Sequence, residues 1–213
     1  DYKVSLGKVE RLMKKHAIKS IQSKKFKSTQ KNRESQKLGI DNILNRNFQA
    51  DEPNTKWVSD ITFIETQAGW LYLAVVMDLY SRSIVGWSMS EKIDTKLVVN
   101  ALNMVIQSRQ PKKGLLLHSD QGCQYKANEY QELLEQHEII CSMSRKGECH
   151  DNAAMESFFH SMKTELTYHE RYKNRQKAKQ SIFKYIEIFY NRERRHSFIN
   201  YLSPYKYEIM NAA

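Results

Sequence analysis

The chain has 213 residues, with 34 Lys and Arg against 24 Asp and Glu, for a formal net charge of +10. Its 40% hydrophobic and 11% aromatic residues are enough for a core, which excludes a fully disordered chain, and the length suits one domain with at most a small attachment. Three cysteines with no CxxC pair exclude a disulfide scaffold and a Cys-rich zinc module and favour a reducing, cytoplasmic setting; no apolar run approaches the ~18–20 residues of a membrane span.

Charge divides the chain. Residues 1–50 hold 13 Lys and Arg against 4 Asp and Glu, residues 51–162 hold 10 against 15, and residues 163–206 hold 11 against 4. Basic flanks suit a polyanion, because Lys and Arg displace counterions from phosphate. An acidic middle between such flanks suits carboxylates that hold divalent cations, although a charge run is also an ordinary solvated face.

Residues 6–18 place Leu6, Val9, Leu12 and Met13 at helical spacing among basic residues, a short amphipathic helix. Residues 19–50, rich in Lys, Ser, Gln and Asn, read as an arm that orders on binding, so residues 1–50 form a basic N-terminal unit. After Pro53 the pattern changes to strands at 57–65, 70–78 and 83–90, an antiparallel meander with a turn at Asp78–Ser83. A helix follows at 94–108, then a strand at 115–120, a helix at 126–137 and a strand at 139–143. A helix opens near Ala153 with Met155, Phe158, Phe159, Met162 and Leu166 as its buried stripe. A last helix, 175–191, buries Ile182, Tyr185, Ile186 and Phe189. The order predicts an α/β fold with a mixed five-stranded sheet flanked by helices; residues 51–170 form the core and 171–213 its C-terminal helix and basic tail.

Three carboxylates stand out. Asp60 lies inside the first strand between apolar neighbours, Asp120 ends the fourth strand, and Glu156 lies on the helix that opens at Ala153. Strand ends and helix starts on one edge of an α/β sheet converge. Crowded carboxylates repel and call for a cation, and an all-oxygen set favours Mg²⁺ or Mn²⁺. Two such ions ~3.5–4 Å apart assist both the attacking and the leaving oxygen of a phosphodiester. Lys163 follows Glu156 by two helical turns, ~10 Å along the same face.

The segments WVSDITFI, HSDQGCQY, SRKGECHDNAAMESFFHSMKTE and YNRERRHSFINYLSPYKYE span residues 57–208 and resemble, in order and spacing, the motifs of bacterial insertion-sequence transposases of the insertion-sequence-three family, whose DDE core is of the retroviral-integrase type. The resemblance implies a ribonuclease-H-like fold, two Mg²⁺ ions, DNA 3′-end cleavage and strand transfer, and a homo-oligomer on DNA in the bacterial cytoplasm, in association with the nucleoid. It assigns Asp60, Asp120 and Glu156 as the catalytic metal ligands and Lys163 as a DNA contact. The alternatives are a metal-dependent nuclease of the same fold without strand transfer, or an inactive DNA-binding remnant.

Other residues carry two readings each. Arg145 and Lys146 form a basic loop with Gly147 that is expected to close over DNA. Arg192, Arg194, Arg195 and His196, interleaved with Tyr190 and Tyr201, either grip phosphate and stack on bases or complement a helix dipole. Asp78 reads as a turn residue before a fourth metal ligand, and Asp151 and Asn152 as N-cap residues before anything near the metals. His118 either orients a ligand or is structural. Gly122 is expected to adopt an unusual dihedral, and Trp57, Trp70, Trp87 and the three cysteines are expected in the core.

Overall fold

The computed structural model describes residues 4–19 and 39–212. Helix α1, Leu6–Lys15, buries none of its residues. The strands are β1 Lys56–Ile64, β2 Leu71–Asp78, β3 Ile84–Ser90, β4 Leu116–Ser119 and β5 Ile140–Met143. The remaining helices are α2 Thr95–Arg109, α3 Asn128–Gln136, α4 Ala153–Met162, α5 Arg175–Lys184 and α6 Pro204–Asn211. The five strands form one sheet in the order β3-β2-β1-β4-β5. β1, β2 and β3 are antiparallel neighbours, while β4 runs parallel to both β1 and β5.

The sheet is buried on both faces, and side-chain alternation along β2 shows how. Leu73, Val75 and Met77 join the core under α4 and α5, whereas Ala74 and Val76 join the core under α2 and α3. That two-sided burial explains why β2 reads as a continuous apolar run. β3 meets α2 so closely that a Cβ at Gly86 would come within 2.5 Å of the Ala101 carbonyl.

Helix ends follow local chemistry. Asp94 accepts from the Leu97 N–H at 3.1 Å to start α2, and Asn174 accepts from Lys177 at 2.9 Å to start α5. Ser203 and Pro204 open α6, a helix the sequence reading did not place. Both α4 and α5 continue without a break into wider, π-type turns, Lys163–Thr167 and Tyr185–Glu193.

Residues 39–50 pack against the core. Leu44 is 2% exposed, and Ser142 Oγ accepts from the Ile43 and Leu44 N–H groups at 2.9 and 3.1 Å. The expected arm over 20–38 lies outside the described residues. Trp57 is fully buried as expected, but Trp70 is 47% exposed and packs edge-on to Phe63 at 5.1 Å. Cys123, in the loop between β4 and α3, is exposed rather than buried.

Candidate active site

The sheet register builds the site. β1 and β4 pair in parallel with Val58 beside His118, so two residues further on Asp120 comes level with Asp60 on the neighbouring strand. Asp60 Oδ1 accepts from the Ile61 N–H at 2.7 Å, and Asp120 Oδ1 accepts from the Gly122 N–H at 2.9 Å. Burial holds the Asp60 carboxyl well above the usual carboxylate range; the charges of Asp120 and Glu156 push in the same direction, while Lys163 pulls against them. Loss of hydration also raises Asp120. Lys163, in the turn after α4, is lowered by burial and partly restored by Asp60. Its Nζ lies 5.1 Å from the centre of the Phe63 ring.

Glu156 is exposed in the first turn of α4, and that turn is tied to β1. Asn152 Nδ2 donates to the Ser59 carbonyl at 3.1 Å, one residue before Asp60. Asn152 stands at the N-cap position of α4 as expected, but its side chain makes no cap bond: its amide reaches across to the strand. Among the described residues, no three His, Cys, Asp or Glu side chains are gathered tightly enough to hold one ion as they stand. The donor set itself suits a hard divalent cation, since all three are carboxylates. Gly122 leaves room for it: a Cβ there would lie 2.9 Å from Asp120 Oδ1. Gly122 does not adopt a left-handed dihedral, so its role is this close approach rather than backbone freedom.

Asp151 is the hub behind the site. Its carboxylate is fully buried and accepts five hydrogen bonds. Arg46 Nε donates to Oδ1 at 2.7 Å and Asn42 Nδ2 to Oδ2 at 2.8 Å. Arg145 gives its N–H and Nε to Oδ2 at 3.0 and 2.9 Å and Nη2 to Oδ1 at 2.8 Å. These bonds, the Arg145 side chain foremost, hold the carboxyl well below the usual range. The expected N-cap at Asp151 is therefore an ion-pair centre that fastens residues 42–46 and the 145–152 loop to the start of α4. Arg145 is committed to it, whereas Lys146, between Arg145 and Gly147, is exposed.

The remaining candidates fall into place by contact. Asp78 is fully buried and accepts from the Asn54 and Tyr80 N–H groups at 2.8 and 3.0 Å, which makes it a turn residue. His118 is buried between Ser142 Oγ at 2.9 Å and Ser144 Oγ at 3.1 Å, and burial lowers it to about 4. Ser142 Oγ already accepts two backbone N–H groups, so its own proton goes to His118 Nδ1 and the ring proton rests on Nε2. His118 is thus structural. Arg194 is taken up by Glu165 through bonds of 2.6 to 2.9 Å, and Tyr190 is buried, while Arg195 and Tyr201 remain exposed.

Residues 50–149 match the family described as integrase core domain, and residues 156–211 match a second family of the same description. The chain is 46% identical over 173 residues to the transposase InsF for insertion sequence IS3A of Escherichia coli (strain K12), covering 81% of this chain and 60% of that relative. It therefore spans about 60% of the length of such relatives. It is 43% identical over 201 residues to the insertion element IS600 uncharacterized 31 kDa protein of Shigella sonnei, covering 94% and 74%. Among solved structures, the HTLV-2 integrase catalytic core domain in complex with magnesium (trimeric form) aligns with a TM-score of 0.55 at 16% identity, covering 72% of this chain and 95% of that one. The simian T-cell lymphotropic virus intasome in complex with PP2A regulatory subunit B56 gamma aligns at 0.61 and 14% identity, covering 74% and 55%. At such identity the likeness is one of fold, the ribonuclease-H-like fold of integrase cores. Sequence similarity, matched domains and fold agree: the chain belongs to the insertion-sequence-three family of DDE transposases with an integrase core.

Proposed function

We propose that the chain is the catalytic part of a transposase that cleaves DNA at the 3′ ends of an insertion sequence and transfers the freed strands to a new site. The observation that carries this reading is the parallel β1–β4 register that brings Asp120 level with Asp60, together with the Asn152–Ser59 bond that ties the Glu156 helix to the same strand. Asp60, Asp120 and Glu156 would hold divalent cations, two Mg²⁺ or Mn²⁺ ions, which supply Lewis acidity at the phosphodiester. The relatives named as transposases and the integrase core solved with magnesium support a transposase that depends on a divalent metal.

The chemistry is two phosphoryl transfers. In the first, water attacks phosphorus, the P–O3′ bond breaks, and the element end leaves as a 3′-OH with a 5′-phosphate on the flanking strand. In the second, that 3′ oxygen attacks a target phosphorus, a new P–O3′ bond forms, and the target's own 3′ oxygen leaves with a proton. The residues' task is to hold the carboxylates in register and DNA against them. Lys163 is close enough to feel Asp60 and would hold a phosphate beside it. Lys146 and Arg195 present exposed charge to the backbone, and Arg145 and Arg194, each with a carboxylate partner, would add a shared, weaker contact.

Of residues 1–50, the stretch before residue 39 would serve as a DNA-facing arm while 39–50 join the core, and residues 51–170 and 171–213 would serve as core and core-capping tail. Two element ends require two active sites, so a homo-oligomer on DNA, in association with the nucleoid, completes the reading. Among the described residues no helix is long and apolar enough to cross a membrane. The test is to incubate the chain with Mg²⁺, an oligonucleotide with a free 3′-OH, and supercoiled plasmid. Oligonucleotide joined to plasmid supports the proposal. Nicked plasmid without joining favours a nuclease, and no cleavage at all favours an inactive DNA-binding protein.

A further inference from the structure

A cavity of about 610 Å³ opens beside α4 on the face that carries Ser157 and Ser161 rather than Glu156. Arg82, Arg194, Arg195 and His196 line it, with Phe198 at its mouth. Among the described residues no carboxylate lines it. Glu165 neutralises Arg194, but Arg82 forms no ion pair among the described residues. Arg82 gives one Nη2 bond of 3.2 Å to the Phe48 carbonyl and stacks 3.8 Å above the Phe198 ring. Its backbone is held at φ +62°, and its Nε is buried without a hydrogen-bond partner.

His196 lies beside Arg194 on the same wall. Arginine only donates, so the 3.4 Å contact from Arg194 Nη1 to His196 Nδ1 makes Nδ1 the acceptor and leaves the ring proton on Nε2. That Nε2 is also buried without a hydrogen-bond partner. The Arg82 guanidinium and the exposed Arg195, neither of them in an ion pair among the described residues, give the cavity uncompensated positive charge. An oxyanion in the cavity offsets that charge. A carboxylate offers two oxygens, whereas a phosphate offers more and matches the fork of a guanidinium as well.

We propose that this cavity binds a phosphate group, with the Arg82 guanidinium on its wall and Arg195 at its exposed rim. The site is separate from the three carboxylates and needs no metal. The phosphate comes from one of two sources, a phosphodiester of a DNA backbone or a free phosphate.

The probe is inorganic phosphate on the full chain, read as melting temperature against chloride at matched ionic strength. Phosphate should raise the melting temperature of the wild type above chloride. In Arg82→Gln and in Arg195→Gln the concentration needed for the half-maximal shift should rise about tenfold. Equal shifts in all three proteins, or no shift in the wild type, overturn the proposal. Arg195 is exposed, so its variant decides the matter even where Arg82→Gln does not fold. A short duplex DNA then separates the sources. If phosphate weakens DNA binding by the wild type but not by Arg195→Gln, the occupant is a DNA phosphodiester. If DNA binding is indifferent to phosphate while the melting shift persists, the occupant is a free phosphate.

Discussion

Asn152 Nδ2 lies 3.1 Å from the carbonyl oxygen of Ser59, and this bond sets the first turn of α4 against the strand residue that precedes Asp60. The same side chain leaves its Oδ1 buried and unpaired. Asn152→Ala therefore removes one hydrogen bond and one unsatisfied acceptor together, and stability should change by about 1 kcal/mol or less. The position of Glu156 relative to Asp60 should loosen, and the single-turnover cleavage rate should fall at least about tenfold. Urea unfolding beside a cleavage time course separates the two effects; a large loss of stability with an unchanged rate would assign Asn152 to folding alone.

The Asp151 hub should behave in the opposite way. Asp151→Asn keeps one acceptor oxygen where five hydrogen bonds converged, and it leaves Arg46 and Arg145 without their shared partner. A loss of roughly 2 kcal/mol or more at neutral pH is expected. The carboxyl is depressed in the folded state, so its contribution is full above the unfolded pKa near ~4 and is lost as pH falls below it. The gap between wild type and variant should therefore close on acidification. A constant gap from pH 7 to pH 3 would show that the charge contributes nothing.

Gly122 tests the geometry around Asp120. Gly122→Ala puts a Cβ 2.9 Å from Asp120 Oδ1, so the carboxylate or the loop must shift. The fold should persist, while the Mg²⁺ concentration needed for half-maximal cleavage rises several-fold. Titration of activity with Mg²⁺ reads this directly, and an unchanged titration would show that the loop yields without cost.

Asp78 gives a pH dependence of the reverse sign. Burial pushes its carboxyl up to about 6, against the pull of the Asn54 and Tyr80 N–H groups. Its folded pKa exceeds its unfolded value, so stability is present below ~4 and is lost as pH rises through about 6. Relative to Asp78→Asn, the wild type should lose on the order of 3 kcal/mol across that window. Denaturant melts of both proteins from pH 4 to pH 7 check the slope, which should be negative up to about 6 for the wild type relative to the variant.

Much of this was legible in the sequence because it is local. Apolar Trp57 and Val58 beside polar Ser59 and Asp60 marked the strand, and the stripe from Met155 to Met162 marked the helix that bears Glu156. The ionic partners of Asp151 were not legible, since Arg46 and Asn42 are 105 and 109 residues away and only the fold brings them in. Arg194 looked free for the same reason, because Glu165 is 29 residues back. Trp70 looked like core by its size, yet it lies just outside β2, half exposed and packed edge-on to Phe63. Arg82 carried no signal beyond a turn, and its importance rests on a cavity that four segments build.

The account rests most heavily on the meeting of Asp60, Asp120 and Glu156 around divalent cations. Anomalous diffraction from crystals soaked in Mn²⁺ measures that meeting directly. The account predicts anomalous peaks within bonding distance of all three carboxylates, and their disappearance in Asp60→Asn. Manganese bound elsewhere, or Glu156 left unliganded while the other two carry metal, would contradict it.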